Sequence, residues 1–127
     1  MRKNPLTLAL AAATLLVSGT GTAATVTITG LVSRVAVDGS TDTTANYGGC
    51  MAAITPVPAT QTWQTGCTAG WVTFSCTGNF ATNQVQAYRL LDQAQLALTT
   101  GKKVTVYYSN AAVHNGICFA NRVDVIK

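Results

Sequence analysis

The sequence predicts a mainly β fold with a single α-helix. Three observations lead there. Five short runs either alternate apolar with polar residues or concentrate β-branched and aromatic ones. Only residues 83–100 repeat apolar side chains at spacings of three and four. Clusters of Gly, Pro, Asn and Thr punctuate the runs.

Each element can be justified in order. Residues 25–37, TVTITGLVSRVAV, form the first strand, and Gly30 inside it marks a bulge or sharp bend. A turn-rich connection, 38–49, leads to a short second strand, CMAAIT, at 50–55. Residues 56–66, PVPATQTWQTG, are a loop, because Pro56 and Pro58 cannot donate to a central ladder. The third strand is AGWVTFSC, 69–76, with bulky Trp71 and Phe74. Asn83 caps the helix, with Gln86 three residues on in the capping-box position. Ala87, Leu90, Leu91, Ala94, Ala97 and Leu98 make its apolar stripe, while Arg89, Asp92, Gln93 and Gln95 cover much of the rest. Gly101 ends it where a left-handed residue is commonly needed. Lys102 and Lys103 follow at the negative end of the helix dipole. KVTVYYS, 103–109, is the fourth strand, and ICFANRVDVI, 117–126, the fifth. Between them Asn115-Gly116 is a hairpin signal, with His114 read as an exposed turn residue beside it.

Three strands, a helix and two strands match the five-stranded Greek-key barrel of the oligonucleotide/oligosaccharide-binding (OB) fold, with the helix between strands three and four plugging one open end. In that topology strands three and five run parallel as neighbours. Cys67 precedes the third strand and Cys118 begins the fifth, so these two can meet. Cys50 and Cys76 can meet across antiparallel strands two and three. The proposed pairs are therefore Cys67–Cys118 and Cys50–Cys76, while Cys50–Cys67 with Cys76–Cys118 stays open.

Residues 1–24 read as a signal peptide. Arg2 and Lys3 precede the apolar run Leu6 to Val17, and small residues lead to a cut before Thr25. That run is too short to span a bilayer, which takes about 20 residues, and no later segment is long and apolar enough. Residues 25–127 make one OB-like domain. The four cysteines fit an exported protein in an oxidising compartment, secreted or periplasmic.

Of the net charge of +4, two units belong to Arg2 and Lys3. The remaining cations are scattered, a poor footprint for a nucleic acid. No C-x-x-C pair occurs and His114 is the only histidine, so no metal site or other cofactor is expected. The four aspartates are isolated and glutamate is absent. Catalysis by paired acid and base groups is therefore poorly supplied, and a non-catalytic protein is expected. Binding is better supplied, because aromatic faces suit the C–H faces of sugars. Trp63 lies in a loop, as an exposed contact or folded back over an edge. Tyr108 shares a strand face with Val104 and Val106, which allows it to be a core residue with a satisfied hydroxyl or a ligand contact.

The helix and fourth strand resemble the receptor-binding B subunits of subtilase cytotoxin and typhoid toxin. The matching residues are Leu91, Gln93, Ala94, Thr99, Thr100, Gly101, Val104, Val106, Tyr107 and Tyr108, with Cys76 at a similar distance upstream. ITGLVSRV, 28–35, resembles their first strand. A second resemblance is to small exported bacterial proteins of unknown function, through Cys67, Trp71, Thr73, Phe74, Gly101, Lys102, Lys103, Val104, Tyr107 and Cys118. That pattern also favours Cys67–Cys118. The toxin resemblance implies an OB fold, a homo-pentamer with an enzymatic partner subunit, and a sialylated glycan or glycoprotein receptor. It implies sugar contacts from Thr29 and Tyr108. The chain departs from those subunits in lacking an acidic residue shortly before Thr29 and in its longer connection between strands two and three. The alternative expectation is a small periplasmic or secreted structural or accessory protein of the same fold with no sugar site.

Overall fold

The computed structural model describes residues 24–41 and 46–127. The expected signal segment lies almost wholly outside them. Five strands, β1 (Val26–Val37), β2 (Cys50–Pro56), β3 (Trp71–Thr73), β4 (Lys103–His114) and β5 (Ile117–Ile126), and one helix, α1 (Gln84–Thr100), follow in the expected order. The strands close into a barrel in the order β1-β2-β3-β5-β4. All neighbours are antiparallel except β3 and β5, which run parallel. This is the OB-like arrangement.

Closure depends on β1 serving two partners. Its first half pairs with β4, from Val26 opposite Tyr108 to Leu31 opposite Lys103. Its second half pairs with β2, from Gly30 opposite Pro56 to Val37 opposite Cys50. The expected irregularity in β1 falls between Val32 and Arg34, not at Gly30. Gly30 has a different task. A Cβ there would lie 2.2 Å from the backbone oxygen of Thr55, so only a glycine lets β2 come this close.

The helix ends as its sequence demands. Asn83 Oδ1 accepts the N–H of Gln86 at 2.9 Å. Gly101 adopts a left-handed φ of 66°, and its N–H and that of Lys102 both reach Ala97 O. Ala87, Leu91, Ala94 and Ala97 are buried, with Leu90 and Leu98 packed at the margin. This stripe lies against β1, β2, β4 and β5 and shares one core with Ile28, Val72, Phe74, Val104, Val106 and Tyr108. The alanines let the helix axis approach the strands closely, where larger side chains would force it away.

Both disulfides form as proposed, Cys50–Cys76 and Cys67–Cys118. Two strands differ in length from expectation. β3 keeps only three residues, because Ser75 takes a left-handed φ of 57° that lifts the chain off the sheet. β4 extends to His114, with residues 110–112 bulged out before the last pairs with β5. Asn115 and Gly116, at φ 49° and 82°, make the tight turn that follows. His114 is not an exposed turn residue. It closes β4 and is buried, at 8% exposure.

The close approach at Gly30 has a direct test in urea denaturation. Gly30→Ala is expected to cost about 2–3 kcal/mol, the scale of overpacking against an atom that cannot yield. Gly39→Ala, where an added Cβ meets nothing within 4 Å, is expected to be near neutral. Equal midpoints for the two variants would show that the β1–β2 approach does not constrain closure.

Candidate ligand groove

Strand alternation decides where the sequence-predicted contacts lie. Val104, Val106 and Tyr108 point into the barrel, and Tyr108 is 1% exposed. Its Oη accepts the backbone N–H of Gln64 at 3.0 Å. Thr29 lies between buried Ile28 and Gly30 and so faces outward. Its Oγ1 is 3.0 Å from Thr105 Oγ1 on the outer face. Thr29 and Tyr108 thus stand on opposite faces of the sheet. The tyrosine that shares the outer face is Tyr107, which lies under the Arg122 guanidinium at 4.7 Å. Tyr108 is a core residue here, with its hydroxyl satisfied by Gln64.

Trp63 and Tyr108 do come together, with ring centroids 5.3 Å apart. Trp63 is folded back and half-buried against the core. The connection that carries it is strapped down along its length. The Gln61 amide donates to Thr29 O at 2.8 Å and accepts from Thr29 N at 2.9 Å. Gln64 donates to Ala24 O and accepts from Asn110 N. Asn110 in turn donates to Thr65 O. The longer connection between β2 and β3 therefore covers the ground between Thr29 and Tyr108.

An open groove lies elsewhere, between α1, β5 and the segment that joins β3 to α1. Its volume is about 550 Å³. Phe80 and Phe119 form its apolar wall, with centroids 6.1 Å apart and planes tilted by 49°. Phe80 is 41% exposed. Gln86, Arg89 and Leu90 line the helix side at positions i, i+3 and i+4, and Asn121 lines the β5 side. Among the described residues, no protein group pairs with the side chains of Gln86, Arg89 or Asn121. The salt bridge between Arg122 and Asp124 lies outside the groove. Aromatic faces beside unpaired amide and guanidinium groups make a concave seat for a ligand with C–H faces, hydroxyls and a negative charge.

Phe80 is held from behind. Its N–H donates to Ser75 Oγ at 3.1 Å, and its ring lies 4.6 Å from the His114 ring. Ser75 Oγ is also 3.1 Å from His114 Nε2, and Ser75 is fully buried. The hydroxyl can donate to Nε2 or accept from it, as the imidazole tautomer decides.

None of Phe80, Ser75 or Phe119 is distinguished by the sequence patterns, and Arg89 reads there as one polar-face residue among several. The usable signal is alternation along β5, where buried Cys118 puts Phe119 outward. Phe80 also falls three residues before the helix cap. Among the described residues there is no cluster of three or more histidine, cysteine or acidic groups that could hold a metal, and no helix long and apolar enough to cross a membrane. No family model matches this chain, and neither a curated protein nor a solved structure does.

Burial holds His114 below the ordinary histidine value of 6.5. The unfolded chain therefore binds the proton more readily than the folded one. The stability carried by the neutral ring is complete above pH 6.5 and is lost as pH falls through that value toward the depressed one. His114 is the only histidine, so urea midpoints are expected to drop as pH falls below 6.5 in the native protein and to stay level in His114→Gln. Parallel drops in both proteins would assign the effect to other groups.

Proposed function

We propose that the protein is an exported, non-catalytic binding module of the toxin B-subunit type, and that it recognises glycans in the Phe80–Phe119 groove. One observation carries the reading. The groove joins two aromatic rings to three side chains, Gln86, Arg89 and Asn121, whose hydrogen-bonding groups are not used within the described protein. A sugar ring would lay its C–H face on the aromatic wall and present hydroxyls to the amides. A carboxylate, as on a sialylated glycan or glycoprotein receptor, would meet the Arg89 guanidinium in a charge-assisted bond. The two disulfides support export, since they persist in an oxidising compartment, secreted or periplasmic. Assembly into a ring of five beside an enzymatic partner subunit, as the resemblance implies, would multiply a weak site into useful avidity.

A second reading, a structural or accessory protein without a sugar site, is favoured by the strap over Thr29 and Tyr108. A glycan array separates the two. Bound sialylated glycans are expected to be weakened about tenfold or more by Arg89→Ala, the scale of losing a charged hydrogen bond. Phe80→Ala is expected to lower binding of acidic and neutral glycans alike, and Tyr108→Phe to leave it unchanged. A blank array, together with a monomer by light scattering, would establish the second reading.

A further inference from the structure

We propose that His114 is a pH-sensitive latch on this groove: protonation of its ring in mildly acidic surroundings releases Phe80 and reshapes the ligand seat. The inference rests on the groove being the binding site, and adds a means of regulating it.

The chain of contacts is short. The Ser75 hydroxyl links the His114 ring to the Phe80 backbone, with both bonds at 3.1 Å. The Phe80 ring covers the imidazole on one side and reaches Phe119 on the other. One residue is thus both the cover over His114 and the wall of the groove. Protonation turns Nε2 into a donor facing Ser75 Oγ. That oxygen then meets two N–H groups, and its own proton can no longer be accepted by Nε2, in a place with no solvent exposure.

No acidic group described lies near the ring to compensate a positive charge. From the loop before β2, Gly48 lies against it, and a Cβ added there would come within 2.7 Å of His114 Cδ2 and 2.4 Å of the Thr73 hydroxyl of β3. Ser75 and Phe80 face it from the segment after β3, and Ile117 pairs with it from β5. None of these groups titrates or carries charge. Arg89, the charged side chain among the described residues that line the groove, has the same sign as the imidazolium. Burial already disfavours the charged ring. The segment from Ser75 to Gly78 is pinned by the Cys50–Cys76 bridge and by bonds from Gly78 N to Ser75 O and from Thr77 N to Gly48 O. Phe80, beyond these anchors and exposed on its groove side, is where the chain yields.

The test is an NMR titration of the whole protein from about pH 8 to about pH 4.5, with no ligand added. The single histidine makes the imidazole signal unambiguous. The His114 ring is expected to titrate below 6.5, and the amide shifts of Phe80 and Phe119 are expected to move with the same midpoint. Ser75→Ala should leave His114 titrating while Phe80 no longer follows it, and His114→Gln should abolish the Phe80 transition. Phe80 and Phe119 shifts that stay flat through the His114 transition, or that move equally in His114→Gln, would overturn the latch. A coupled titration beside a blank glycan array supports the latch and removes only the glycan reading. Array binding beside a flat titration removes only the latch.

Discussion

Five strands cannot cover the ends of their own barrel, and burial of the alanine-rich face of α1 against them is the constraint on which the rest of the structure depends. Ala87, Leu91, Ala94 and Ala97 are nearly or fully removed from solvent. To place them there, the chain must leave the sheet soon after β3 begins. Ser75 makes that departure with its left-handed backbone. The segment it starts passes outside β5 on the way to the Asn83 cap, which sets Phe80 beside Phe119. The groove is thus a consequence of how the helix is delivered to the barrel end. Gln86 and Arg89 line it because they lie on the flank of the face that α1 buries.

The disulfides address a weakness created by the same departure. β3 has three residues and bonds to β5 through only two paired positions. Cys67 lies before it and Cys76 after it, and each is bridged to a neighbouring strand, Cys118 in β5 and Cys50 in β2. The shortest strand is therefore clamped at both ends. On chain-entropy reasoning, bridges spanning 51 and 26 residues remove about 4 and about 3.5 kcal/mol of freedom from the unfolded chain. The stabilisation falls where hydrogen bonding along the ladder is thinnest.

What the sequence made legible was local. The Asn83 cap, the Gly101 stop, the Asn115-Gly116 turn and the apolar stripe of α1 each depend on residues within a few positions of one another. The strand order proposed both disulfides, because it brings the ends of β3 to β2 and β5, and the structure decides for them over the pairing of Cys50 with Cys67 and Cys76 with Cys118. The features hidden from the sequence join residues far apart. His114 and Ser75 are 39 positions apart, and a histidine next to a tight turn has the same local pattern whether its ring points out or in. The Gln61 bonds to Thr29 span 32 positions, so a Pro/Thr-rich loop gave no sign that it would cover β1. Tyr108 was the intermediate case. Alternation with Val104 and Val106 showed its face, and only the strap of residues 57–66 showed that its hydroxyl was already used.

Native-state hydrogen exchange of the backbone amides measures the role of α1 most directly. If the helix is an integral plug, the amides from Leu91 to Ala97 exchange only on global unfolding, with the same free energy as those of Val104 and Val106 in β4. Exchange of the helix at a free energy well below that of the strands, while the barrel stays closed, would contradict the account.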